Sequence, residues 1–128
     1  MERSYKKTKE IKLGRPKKDS TEYYISMIKK IIDSKKGNDI VVLDMKGFSF
    51  TDYFIIASGD SEVQLNAIAE EITDRLDKNG RNRCRREGKI GSKWILLDYG
   101  DIVVHLFEKD VRKYFNLERL WYEVKKEQ

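Results

Sequence analysis

The chain has 128 residues, 39% hydrophobic and 38% charged, with a formal net charge of +5, which fits one globular domain with a heavily solvated surface. Its one cysteine, Cys84, excludes an internal disulfide, and no apolar run approaches the roughly 20 residues that span a bilayer. No signal-peptide core follows the first basic residues, so a soluble cytoplasmic protein is expected.

The basic excess sits at one end. Residues 1–18 hold eight Lys or Arg and two Glu, giving +6, while the other 110 residues hold 19 basic and 20 acidic side chains, giving −1. A segment so rich in charge reads as a solvated, disordered tail, and it could attract phosphates in a salt-sensitive, non-specific way. Glu2, Glu10 and the scarcity of Ser argue against a mitochondrial leader. The ordered domain is expected over residues 19–121, with a frayed end at 122–128.

After Gly14-Arg15-Pro16, the stretch Asp19-Ser20-Thr21-Glu22 supplies a helix start, with Asp19 as N-cap and Glu22 completing a capping box. Ile25, Ile28, Ile31 and Ile32 follow at helical spacing, and Lys35-Lys36-Gly37 closes the helix. Asp39–Met45 and Tyr53–Ser58 are β-branched or apolar runs of strand length. Gly59-Asp60-Ser61 opens a long helix with Ser61 and Gln64 as a second capping box; Leu65, Ile68, Ala69, Ile72 and Leu76 form its apolar stripe, and Gly80 ends it. Arg81–Gly88 reads as an extended basic stretch. Gly91–Phe107 reads as two strands about an acidic turn, Asp98-Tyr99-Gly100-Asp101. A short amphipathic piece runs from Asp110 to about Phe115, before the closing "NLERLW". Runs of strands and helices, rather than strict alternation, point to an α/β fold of α+β order, a mixed β-sheet packed with helices.

Three kinds of chemistry compete for this pattern. Nucleotidyl transfer on a mixed sheet needs carboxylates projecting together to hold two metals. Along the strand after Asp101, the same face carries Val103 and His105, so a Val stands where a second ligand belongs. No P-loop is present, and Gly59-Asp60-Ser61 is explained by capping alone. His105 is the only histidine, too few for a zinc site. Cys84 and His105 formally offer a nucleophilic pair, with Arg83 and Arg85 able to lower the thiol pKa, but a lone cysteine in a strand usually packs.

Nucleic acid is the second candidate. Arg81, Arg83 and Arg85 alternate along one strand face, with Arg86 beside them, but no aromatic interleaves to stack on bases. A charged edge strand explains the same pattern. The third candidate is docking. Trp94, Leu96 and Asp98 share one strand face, and Ile95, Leu97 and Tyr99 the other. One face must cover the helices; the other offers a Trp beside an acidic rim, suited to a basic partner. Trp94 as plain core competes with this reading.

"DYFIIASG" (52–59), "AIAEEI" (67–72), "REG" (86–88), "WILLDYGDIVVHLF" (94–107) and "VRKYFNLERLW" (111–121) together resemble the ribosomal silencing factor family, the Iojap-type proteins. The resemblance covers about residues 20–121 and leaves the tail outside. It implies a mixed sheet similar to nucleotidyltransferases but without their active site, no enzymatic activity, no cofactor and no metal. It also implies binding to the large ribosomal subunit at large-subunit ribosomal protein fourteen, a block to subunit joining that represses translation when nutrients are short, and frequent homodimers. Carried over by motif, the partner-binding surface falls on Trp94, Leu96, Asp98, Tyr99, Gly100 and Asp101, with His105 nearby. Residues 1–18 are left with weak contact to ribosomal RNA or no contact.

Overall fold

In a computed structural model, residues 17–126 are described, with side chains through residue 123. All of the tail except Lys17 and Lys18, and the last two residues, lie outside the described part. The elements are α1 (Thr21–Ser34), β1 (Asn38–Asp44), β2 (Tyr53–Gly59), α2 (Glu62–Lys78), β3 (Arg85–Glu87), β4 (Trp94–Asp98), β5 (Ile102–Glu108), α3 (Lys109–Phe115) and α4 (Leu117–Lys126). The expected order holds. Of the end expected to fray, 122–128, residues up to 126 continue α4, and the last two lie outside the described residues.

The first capping box is shifted. Ser20, not Asp19, caps α1, accepting the Tyr23 N–H at 3.1 Å. Asp19 has a φ of 67°, outside the extended region that an N-cap needs, and its carboxylate instead accepts the Tyr24 hydroxyl at 2.9 Å. At the other end Lys36 adopts the left-handed conformation, with φ 68°. Gly37 serves by its smallness: a Cβ there would collide with the Ile32 side chain. The second cap follows the sequence more closely. Ser61 accepts the Gln64 N–H at 3.1 Å. The Gln64 side chain reaches back to the Asp60 N–H and donates to the Lys35 and Lys36 carbonyls, tying α2 to the end of α1. Gly80, at φ +90°, ends the α2 turn as expected.

The strands form one mixed sheet in the order β1-β2-β5-β4-β3. β2 and β5 pair in parallel, with α2 in the crossover between them, and every other neighbour is antiparallel. The two central strands bury both faces. All seven residues of β2 and six of seven in β5 are buried, which is why their sequences are nearly continuous apolar runs, interrupted by the buried polar residues Ser58 and His105. β4, between β5 and the short edge strand β3, alternates, with Ile95 and Leu97 buried and Trp94, Leu96 and Asp98 half-buried.

That alternation separates two apolar layers. One face of the sheet, with Val42, Ile55, Val104, Ile95 and Leu97, packs under the stripes of α1 and α2 into the main core. The opposite face, with Val41, Leu43, Phe54, Ile56, Val103 and Phe107, is covered by Val111, Leu117 and Trp121 of α3 and α4. A buried ion pair holds that cover in place. Arg112 of α3 donates to the Glu118 carboxylate of α4 at 2.7 and 3.1 Å, and to the Ser58 hydroxyl of β2 at 2.7 Å. Asn116, at φ 48°, makes the corner between the two helices.

Candidate docking site

The hairpin β4–β5 pairs Trp94 with Phe107, Leu96 with His105 and Asp98 with Val103. These pairs all lie on the second face of the sheet. Trp94 is half-buried at the rim of that face, its ring 4.6 Å from Phe107 and 5.1 Å from Phe115 of α3. Phe115 is itself 50% exposed, and Leu120 on α4 is 56% exposed. The ring of Tyr114, also exposed, lies 5.1 Å from Phe115. An aromatic ridge thus continues from the sheet, through Trp94, onto α3. Sequence reading missed Tyr114 and Phe115, because an apolar pair inside a short amphipathic segment looks like core.

The turn divides the residues that the sequence grouped together. Asp98 stays at the rim, half-buried, with one carboxylate oxygen accepting the Gly100 N–H at 2.8 Å. Gly100, at φ +93°, has open space around its α-carbon, so its glycine is required by backbone conformation and not by crowding. Asp101 turns away. Arg81 donates to it at 2.7 and 3.3 Å, and the Thr21 hydroxyl at 2.7 Å. The same guanidinium donates to the Tyr99 carbonyl at 3.1 Å and lies over the Tyr24 and Tyr99 rings. Burial works to raise the Asp101 pKa, but the hydrogen bonds and charge of Arg81, with Thr21, outweigh it and hold the carboxyl below its ordinary value. Asp101 is therefore a clamp joining the turn, the start of α1 and the chain after α2. The expected two-carboxylate rim reduces to Asp98.

Tyr99 and His105 also leave the surface. Tyr99 is 7% exposed and belongs to the main core, on the face that α1 and α2 cover. Burial pushes its phenol pKa well up, with the Cys84 thiol beside it adding to the shift. His105 is 5% exposed, beneath the second face, between Phe54 at 4.7 Å and the Trp94 ring at 6.0 Å. Its Nδ1 accepts the Trp94 indole N–H at 3.2 Å. Burial lowers its pKa to about 4, so the ring is neutral at pH 7. Of the seven expected site residues, Trp94, Leu96, Asp98 and Gly100 stand at the surface, Tyr99 and His105 are buried beneath it, and Asp101, half-buried, is taken up by Arg81 and Thr21.

The alternatives are weakened by the same geometry. Cys84 packs against the main core, while His105 sits on the other side of the sheet, so they form no nucleophilic pair. Burial, the largest influence on Cys84, raises its pKa and keeps the thiol protonated. Among the described residues no three His, Cys, Asp or Glu side chains group as metal ligands. The arginine stripe is reduced as well, with only Arg83 and Arg85 left exposed. β3 is an edge strand, as charge-guarding suggested. Arg81 is consumed by Asp101, and Arg86 donates to Asn66 and to the Gly88 carbonyl.

Comparison with known proteins agrees with this fold. The family described as "Ribosomal silencing factor during starvation" matches residues 17–128. The ribosomal silencing factor RsfS of Bacillus subtilis is 50% identical over 90 residues, 70% of this chain and 76% of that protein. A crystal structure from Bacillus halodurans superposes with a TM-score of 0.71 at 41% identity, covering 79% of this chain and 95% of that one. A crystal structure from Chromobacterium violaceum gives 0.75 at 31% identity, covering 80% and 86%.

Proposed function

The chain belongs to the ribosomal silencing factor family, and from that premise we propose that it docks on the large ribosomal subunit through the second face of its sheet. In this reading Trp94, Leu96 and Phe115 form the apolar anchor and Asp98 the charged rim. The partner is large-subunit ribosomal protein fourteen. Occupying that surface blocks joining of the small subunit and represses translation. The protein acts by binding, without catalysis or cofactor, in the cytoplasm. Among the described residues no helix is long and apolar enough to cross a membrane.

The observation that carries the reading is the half-buried Trp94 between Phe107 and the exposed Phe115. Tryptophan is among the residue types enriched at the hot spots of protein interfaces. The near-neutral charge of residues 19–128 favours a protein surface over general RNA binding. Residues 1–18 then add a weak contact to ribosomal RNA next to the docked domain.

Sucrose-gradient sedimentation with separated subunits tests this. The protein should travel with the large subunit and not the small one, and should prevent the two from joining. Equal sedimentation with both subunits, or unimpaired joining, would overturn it.

A further inference from the structure

His105 is a costly residue for its position. Its neighbours on that face are Phe54, Ile56, Val103, Phe107 and Trp94, and its Nε2 is buried without a hydrogen-bond partner among the described residues. A buried polar group left unpaired is unfavourable, and an apolar side chain of similar size avoids that cost. Packing alone therefore does not explain a histidine here.

What a histidine provides, and a leucine or phenylalanine cannot, is an acceptor at Nδ1. The indole N–H of Trp94 is donor-only, so the 3.2 Å contact fixes both partners: Nδ1 carries the lone pair and Nε2 the proton. We propose that His105 is a positioning residue, whose Nδ1 holds the Trp94 indole in the orientation it presents on the docking face. The ring is already flanked by Phe107 and Phe115, but these are apolar contacts that a rotated indole could also make. The hydrogen bond is the directional one. An anchor held in its bound rotamer loses less freedom when it docks. The neutral state of the ring at pH 7 keeps the acceptor available.

The inference rests on the reading that the Trp94 face docks the large subunit, and its test has an arm that does not. In a Trp121→Phe background, Trp94 is the only tryptophan, so its fluorescence and near-ultraviolet dichroism report its orientation. His105→Leu should stay folded, change that signal and weaken large-subunit binding about fivefold, the weight of one ordinary hydrogen bond. His105→Asn, whose Oδ1 lies near the place of Nδ1, should restore most of both. His105→Gln, with its acceptor one carbon further out, should not. In a Trp94→Phe background, where no N–H remains, His105→Leu should have no further effect on binding.

An equal loss from His105→Leu in both backgrounds would make His105 plain packing and overturn the proposal. So would an unchanged Trp94 signal in His105→Leu. Should His105→Leu unfold, the Asn and Gln variants carry the same comparison. If Trp94→Ala binds large subunits as the parent does, the docking reading fails, and the optical arm still decides whether His105 orients Trp94.

Discussion

The two faces of the sheet are built from the same β-branched and aromatic residues, yet they end differently. The face under α1 and α2 is closed, with Ile25, Ile28, Ile68 and Ile72 fully buried over Ile55, Val104 and Leu97. The face under α3 and α4 is covered along β1, β2 and β5, but its margin at β4 leaves Trp94 and Leu96 half-buried and Phe115 half-exposed. Two long helices seal the first, while two short ones, pinned by Arg112 and Glu118, reach only part of the second. Hydrophobicity alone does not tell core from interface. The extent of the helical cover does.

Breaking the closed face should cost the most. Ile68→Ala removes a fully buried side chain and should lower stability by about 2–5 kcal/mol. Binding should then fall only with the folded fraction, as denaturant melts run beside a binding titration would show.

Acid tests the covered part of the second face. The His105 pKa in the folded protein is about 4, below its ordinary unfolded value near 6.5. The unfolded chain takes up the proton first. The stability that goes with a neutral His105 is therefore complete above about pH 6.5 and is lost as pH falls from there to about 4, on the order of 3 kcal/mol in all. His105 is the only histidine, so a His105→Asn variant should show a flatter profile in that window. An equally steep profile in the variant would assign the dependence to another group.

The two turn carboxylates, identical in type, should separate by function. Asp101→Ala removes the Arg81 and Thr21 contacts and should lower stability by about 1–3 kcal/mol, the range for a partly buried charged hydrogen bond, leaving the affinity of the folded fraction near that of the parent. Asp101 also carries an acid dependence. Its pKa is held below the ordinary carboxylate value, so its contribution is present above that value and lost as pH falls through the lowered one. The smallest effect should come from Asp98→Ala. It leaves the melt almost unchanged and slows association with the large subunit by a factor of about two to five at low salt, fading as salt rises. Stopped-flow association at two ionic strengths would measure it.

How far the sequence could be read follows from the range of each interaction. Helix stripes and the alternation of β4 are local patterns, and they placed α1, α2 and the β4–β5 hairpin correctly. Ser61 with Gln64 was legible for the same reason. The α1 cap was missed by one residue because Asp19 and Ser20 are both good caps, and only the backbone of Asp19, turned to meet Tyr24, decides between them. The inward turn of Asp101 depends on Arg81, 20 positions away, and on Thr21, 80 positions away. No spacing rule contains that information. The burial of Tyr99 and His105 needed the path of α1, α3 and α4 over the sheet. Trp94, Leu96 and Asp98 were grouped correctly by strand period alone. Their neighbours on α3 became visible only once that helix was seen beside β4.

The central claim is that the open margin of the second face is a docking surface and not loosely packed core. Trp94→Ala decides it when its thermal melt and its affinity for isolated large subunits are measured on the same preparation. The account predicts a protein that stays folded at the assay temperature and binds at least about tenfold more weakly, a loss of roughly 1.4 kcal/mol or more. A variant that melts early and binds only in proportion to its folded fraction would make Trp94 part of the core and contradict the account.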